Sequence, residues 1–248
     1  DDNGKHKGKL IIERATPPTP VLAESALAVS PFPLPKVPVR VNQYWTFKTE
    51  AGDTPTLPVT VFQIYAIEMY DQFIRLLEKV SPSKYGKLLL DKDEIVSNKW
   101  IEENILILRN LFRENPLIGE KMIEEIRNTH FLSFDSNKKR IITSLVKMYQ
   151  GPQSRYLNYY GPPGTIETIP YYHLIHHHTE SNASQTYFDL KGKIVFVGLS
   201  ERLRPEQKDG FYSVFSQSSG IDISGVEIAA TAFSNLLEDK PVQPLVFP

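Results

Sequence analysis

A chain of 248 residues with 41% hydrophobic and 23% charged side chains can bury a sizeable core, which excludes disorder along its whole length. Its 28 basic and 29 acidic residues nearly cancel, so no overall positive field exists to attract nucleic acid or anionic lipid. With no cysteine, disulfides, thiolate nucleophiles and Cys-ligated zinc or iron–sulfur centres are ruled out.

The polar stretch from Asp1 to Lys9 reads as an arm without a signal-peptide core. Leu10, Ile11 and Ile12 then suggest a short buried strand, stopped by Pro17, Pro18 and Pro20. A short helix is expected over Val21 to Val29, starting near Pro20, before Pro31, Pro33, Pro35 and Pro38 impose an extended connector. Val39 to Lys48 is rich in β-branched and aromatic residues, and Ala51, Gly52 and Asp53 supply the turn after it. From Leu57 to Val80, Phe62, Ala66, Met69, Phe73, Leu76 and Val80 recur at steps of four and three, which places them on one helical face. Three more amphipathic segments follow, marked by Ile101, Ile105, Leu108 and Phe112, by Met122, Ile123 and Ile126, and by Ile141, Leu145, Val146 and Tyr149. Asn115-Pro116 and Gly151-Pro152 break the pattern between and after them.

Beyond residue 150 the character changes. Tyr156 to Tyr160 reads as a strand closed by the turn Gly161-Pro162-Pro163-Gly164. Lys193 to Val197 is an apolar run between Gly192 and Gly198, which predicts a strand buried in the middle of a sheet. A charged loop from Glu201 to Asp209 leads on to a final helix, where Ser224 and Glu227 have capping-box spacing and Val226, Ala230, Phe233 and Leu237 form one packing face. The expected fold class is α/β: a mainly parallel or mixed sheet flanked by helices, with a helical subregion over about 57–150. No stretch of about 18 apolar residues is present, so any membrane anchor lies in segments outside this chain; the apolar end Pro241 to Pro248 suits a lead-in to one.

Three blocks in order carry a resemblance. Arg155 to Thr165 (RYLNYYGPPGT) is similar to a strand and Gly-Pro turn of the second family of CHASE-type domains, the extracellular sensory modules of bacterial cyclases and histidine kinases. Leu190 to Ser200 (LKGKIVFVGLS) resembles the family's "KGKIVLIG" strand, and Gly225 to Leu237 (GVEIAATAFSNLL) its closing "GVEIHANALNNLL" helix. Val39 to Ala66 is similar to the family's middle block, and Asp209 stands where the family usually has an aspartate. The family's N-terminal half has no counterpart, which implies a truncated module, and the helical stretch 69–150 reads as an insertion within a single sensor domain over 1–248. The resemblance further implies an extracytoplasmic location, membrane attachment through segments outside this chain, a cytoplasmic adenylate or guanylate cyclase or histidine kinase as output, and no enzymatic activity in this segment. A homodimer is compatible with it.

Ligands of open α/β sheets gather beyond the carboxyl ends of the strands, which directs attention to the loop from Gly198 to Ser224. Ser200, Arg202, Arg204 and Asp209 on that loop, with Asn158 from the earlier block, are the expected contacts for an unidentified small-molecule or protein stimulus; the bland reading of the same charges is a solvated surface. His173, His176, His177 and His178 are conspicuous, and His173 and His177 would share a helical face as metal ligands. No carboxylate or cysteine falls at a recognised metal spacing, so the cluster reads as a solvated loop. No cofactor is called for: the Gly-Pro turn lacks the phosphate-loop pattern, Gly192 and Gly198 do not make a dinucleotide fingerprint, and no G-x-S-x-G elbow occurs. The alternative function is a periplasmic protein-docking or scaffold module using helices between 57 and 150, which apolar stripes exposed on those helices would favour.

Overall fold

The computed structural model of the protein describes residues 17–34, 40–82, 89–128, 136–175, 189–200, 210–216 and 222–242. They fall into two compact units. The first takes in Gln43–Asn158 with the described residues before 36 and after 231; the second takes in Tyr159–Thr231 and the segment just ahead of Gln43. The expected strand at Leu10 to Ile12 lies outside the described residues.

The first unit is mostly helical. Helix α1 (Pro20–Ser25) carries proline in its first turn, where no amide is needed, and stops at Ala26, short of the expected Val29. The extended connector after it runs beside α2 (Leu57–Tyr65): the Leu57 N–H donates to Pro31 O at 2.9 Å, and the hydroxyls of Ser30 and Thr60 meet at 2.6 Å. Between them, β1 (Gln43–Trp45) is followed by the hairpin of β2 (Phe47–Lys48) and β3 (Thr54–Pro55). Gly52 and Asp53 turn that hairpin with φ of 75° and 60°, the left-handed region that glycine and aspartate tolerate. Asp53 is buried there and ion-paired with Arg113.

The helix expected over 57 to 80 appears as α2, a 3-10 turn over Ala66–Met69, and α3 (Tyr70–Val80). Steps of four and three run unbroken through a single tightened turn, so apolar spacing cannot reveal it. Phe62, Ala66, Met69, Phe73 and Leu76 are all buried on the anticipated face. Next come α4 (Lys92–Ser97), α5 (Ile101–Glu114), α6 (Leu117–Asn128) and α7 (Ser136–Gln150). Asp91 caps α4 by accepting the Asp93 and Glu94 amides at 2.8 and 3.4 Å.

The junction of α4 and α5 is a Schellman turn. The Trp100 N–H reaches Ile95 O at 2.9 Å and the Lys99 N–H reaches Val96 O at 3.3 Å, with Lys99 at φ 60° in the place glycine usually takes. The lysine side chain that makes this conformation costly also donates its ammonium to Glu24 O, tying α1 to the junction.

Helix α6 packs on α7 and α3, and α5 on α2 and α7. At their centre Phe47, Phe73, Phe112 and Tyr149 make one aromatic cluster, with Tyr149 5.7 Å from Phe112 and 6.1 Å from Phe73 between ring centroids. The buried Tyr149 hydroxyl donates to Gln63 Oε1 at 2.7 Å, and that of Tyr70 to Asn104 Oδ1 at 2.8 Å. Burial pushes the Tyr149 phenol well above its usual range, so it stays neutral and acts as a donor. Strand β4 (Ser154–Tyr156) follows α7 and pairs antiparallel with β1, Tyr44 opposite Arg155, while Tyr156 bridges to Val242 on its other side.

In the second unit α8 (Tyr171–Ile175) is a single short turn of helix, and β5 (Gly210–Phe211) pairs antiparallel with β6 (Ile223–Ser224). Gly210 lies so close to Asp222 that an added Cβ would sit 2.9 Å from its side chain. Val41 joins this hairpin by donating its N–H to Tyr212 O at 2.8 Å and receives the Tyr159 hydroxyl on its own carbonyl at 2.6 Å. The α/β class therefore holds, with sheet the minor part: the strands form three two-stranded antiparallel ladders among the described residues.

Candidate functional site: the last helix and the blocks that meet on it

Helix α9 (Gly225–Glu238) begins at Ser224, whose hydroxyl accepts the Glu227 N–H at 3.3 Å. One arm of the anticipated capping box is thus made. The Glu227 carboxylate is turned elsewhere: its Oε1 accepts the Gly164 N–H at 2.8 Å. The single packing face foreseen for this helix is too narrow, because Glu227, Ile228, Ala229, Ala230, Thr231, Ala232, Phe233, Asn235 and Leu236 are all buried. A helix covered on nearly every side is a core element, and its run of alanines permits that close approach.

The first two turns of α9 belong to the second unit and the remainder to the first. In the first unit Phe233 sits edge-on to Phe62 and Tyr65, at 6.4 and 6.1 Å, and Ser144 donates to Leu236 O. Asn235 clasps the backbone of Asn158 at both polar atoms, accepting its N–H at 2.8 Å and donating to its carbonyl at 3.0 Å. That clasp explains why the strand expected over Tyr156 to Tyr160 ends at Tyr156: a side-chain amide takes the hydrogen bonds a neighbouring strand would have used. In the second unit Gly164 rests on Glu227, and Gly198 backs onto Val226, where an added Cβ would meet the valine Cβ at 2.9 Å.

The sequence candidates divide between the units. Asn158 is in the first, its backbone held by Asn235. Ser200 is in the second and exposed, while Arg202, Arg204 and Asp209 lie outside the described residues. His173 is exposed on α8, its ring 4.2 Å from that of Tyr172, and His177 lies outside the described residues. Among the described residues no group of three or more His, Cys, Asp or Glu could hold a metal ion.

One expectation is overturned. Lys193 to Val197 is not a buried central strand: the segment forms no ladder, and Ile194, Val195 and Val197 are 40%, 49% and 76% exposed. A short apolar run between glycines indicates only a capacity for pairing, and no described strand lies alongside to satisfy it. Sequence reasoning missed Glu227 as a tie between blocks. Its separation of 63 positions from Gly164 left no local pattern to find, and the capping-box spacing pointed to a different use of the same carboxylate.

The CHASE2 domain family pattern matches residues 87–247, well over half of the 248. The chain belongs to the CHASE2 domain family. No curated protein and no solved structure matches it. CHASE2 domains are sensory, non-catalytic modules of signalling proteins, extracellular in membrane receptors. The matched range runs from ahead of α4 through α9, and it contains all three blocks that carried the resemblance. The third of those CHASE2 blocks is α9 itself, and the other two touch it: in the first unit Asn158 with Asn235, and in the second Gly164 with Glu227 and Gly198 with Val226. Among the described residues no helix is long and apolar enough to cross a membrane.

Proposed function

We propose that this chain is the extracytoplasmic stimulus-sensing part of a bacterial transmembrane receptor, one that controls a cytoplasmic adenylate or guanylate cyclase or a histidine kinase. The observation that carries the reading is that, within the second unit, the first CHASE2 block through Gly164 and the second through Gly198 both rest on the third, the buried helix α9. A stimulus can act through such a helix only by binding one arrangement of its surroundings better than another, by roughly 1 to 3 kcal/mol for a typical coupling. The stimulus contacts fall to Ser200, Arg202, Arg204 and Asp209, in the segment leading from the second block to α9, with Asn158 of the first block. A docking or scaffold role draws little from the helices between 57 and 150: Tyr65, Val96, Trp100 and Leu117 are exposed on or beside them at scattered positions, and the apolar stripes face inward.

The absence of cysteine makes the location directly testable. In cells carrying the intact protein, Tyr171→Cys places a thiol at a position 64% exposed. A membrane-impermeant maleimide is expected to label it in unbroken cells beyond any labelling of the same protein without the substitution. Labelling confined to lysed cells would refute the extracytoplasmic assignment.

A further inference from the structure

We infer that Glu227 is a latch, a buried carboxylate on the first turn of α9 that couples the position of the surface turn Gly161–Thr165 to that helix. The turn is stiff and nearly self-contained. Pro162 and Pro163 have fixed φ and no N–H, and both the amide and the hydroxyl of Thr165 return to Pro162 O, at 3.1 and 2.6 Å. Among the described residues one hydrogen bond leaves Gly161–Thr165, and it runs from the Gly164 N–H to Glu227. Gly164 has φ of 89° with open space where a Cβ would stand, so the turn faces outward there and its chain path requires glycine.

The other end of the contact is firmly held. Glu227 is buried, its N–H is taken by the Ser224 hydroxyl, and its carbonyl accepts the Thr231 hydroxyl at 2.8 Å. Its carboxylate lies at a helix N-terminus, where backbone amides favour negative charge. Tyr159, just before the turn, feels the same carboxylate: burial first, and then the Glu227 charge, raise its phenol, which stays protonated and holds Val41 O. A rigid turn joined to a rigid helix by one charge-assisted bond has two discrete conditions, joined and parted. Coupling of that kind works equally from either side.

The latch rests on the sensory reading only for its use in signalling; the contact itself can be tested without any stimulus. Amide hydrogen exchange on the 248-residue chain should show the Gly164 amide exchanging roughly tenfold faster or more in Glu227→Ala, as expected for losing a bond to a charged acceptor. Protection at Phe112 and Tyr149 should be unchanged. Glu227→Gln, which retains an acceptor oxygen, should restore most of the protection. From the opposite side, Gly164→Ala, strained at positive φ, should deprotect the Ile228 and Ala229 amides; this variant carries the test if Glu227→Ala loses protection throughout. Wild-type exchange at the turn in Glu227→Ala, or at α9 in Gly164→Ala, overturns the latch and leaves the sensory reading standing. A cytoplasmic location for the chain would remove the sensory reading and leave the latch.

Discussion

Replacing Tyr149 by alanine is expected to destabilise the first unit by about 4 kcal/mol, within the range measured when a buried aromatic is cut to alanine. The ring touches three others, from Phe47, Phe73 and Phe112, and these come from β2, α3 and α5. Removing it leaves a cavity that no single neighbour can fill, since each is held by its own element. Tyr149→Phe separates packing from polarity: it retains the ring and strands Gln63 Oε1 in a buried site, at a cost of about 1 to 2 kcal/mol. Both tryptophans, Trp45 and Trp100, lie in the first unit, so intrinsic fluorescence during urea unfolding reports on this unit. A loss below 1 kcal/mol for Tyr149→Ala would mean that the four rings do not form one cluster.

Arg109→Ala is the second large effect, expected to cost about 2 to 3 kcal/mol. The guanidinium is buried at the C-terminal end of α7, donating to Tyr149 O and, at 3.0 Å, to Gly151 O, and it lies 4.4 Å over the Phe47 ring. Burial, and secondarily the nearby Arg155, draw its pKa below the usual guanidinium range, so the fold bears a cost for this cation. Among the described residues its Nε–H has no hydrogen-bond partner. Relief of that cost offsets part of the loss, whereas the two carbonyls left without a donor set its sign. Arg155 still donates to Lys147 O at 2.6 Å on the same helix end, so α7 would fray without melting. Arg109→Lys should recover less than half of the stability, because an ammonium cannot fork to two carbonyls with the geometry of a guanidinium. Full stability in the lysine variant would show that charge alone, and not the fork, matters there.

The helices were legible because their burial is periodic. Ile101, Ile105, Leu108 and Phe112, like Ile141, Leu145, Val146 and Tyr149, are buried as their spacing predicts. Helix α4 left only a capping signal, Asp91 ahead of Asp93 and Glu94, over six residues too short to show a period. The strands were far less legible. Strand β4 stops at Tyr156 because Asn235, almost 80 residues later, occupies the Asn158 backbone, and a run such as Lys193 to Val197 states a pairing capacity without naming a partner. The ordered blocks after residue 150 led to the family, and what joins them became visible only in the structure: the third block is α9, on which Gly164 of the first block and Gly198 of the second both rest. The loop chosen for the stimulus contributes exposed Ser200, while its charged members belong to residues outside those described.

The proposed sensor role is tested most directly by the output of the intact protein, read as second-messenger level or kinase phosphorylation, with Arg204 and Asp209 both replaced by alanine. Basal output is expected to persist while the change evoked by an external stimulus is lost. An undiminished response of the double variant to every stimulus that activates the wild type would contradict it.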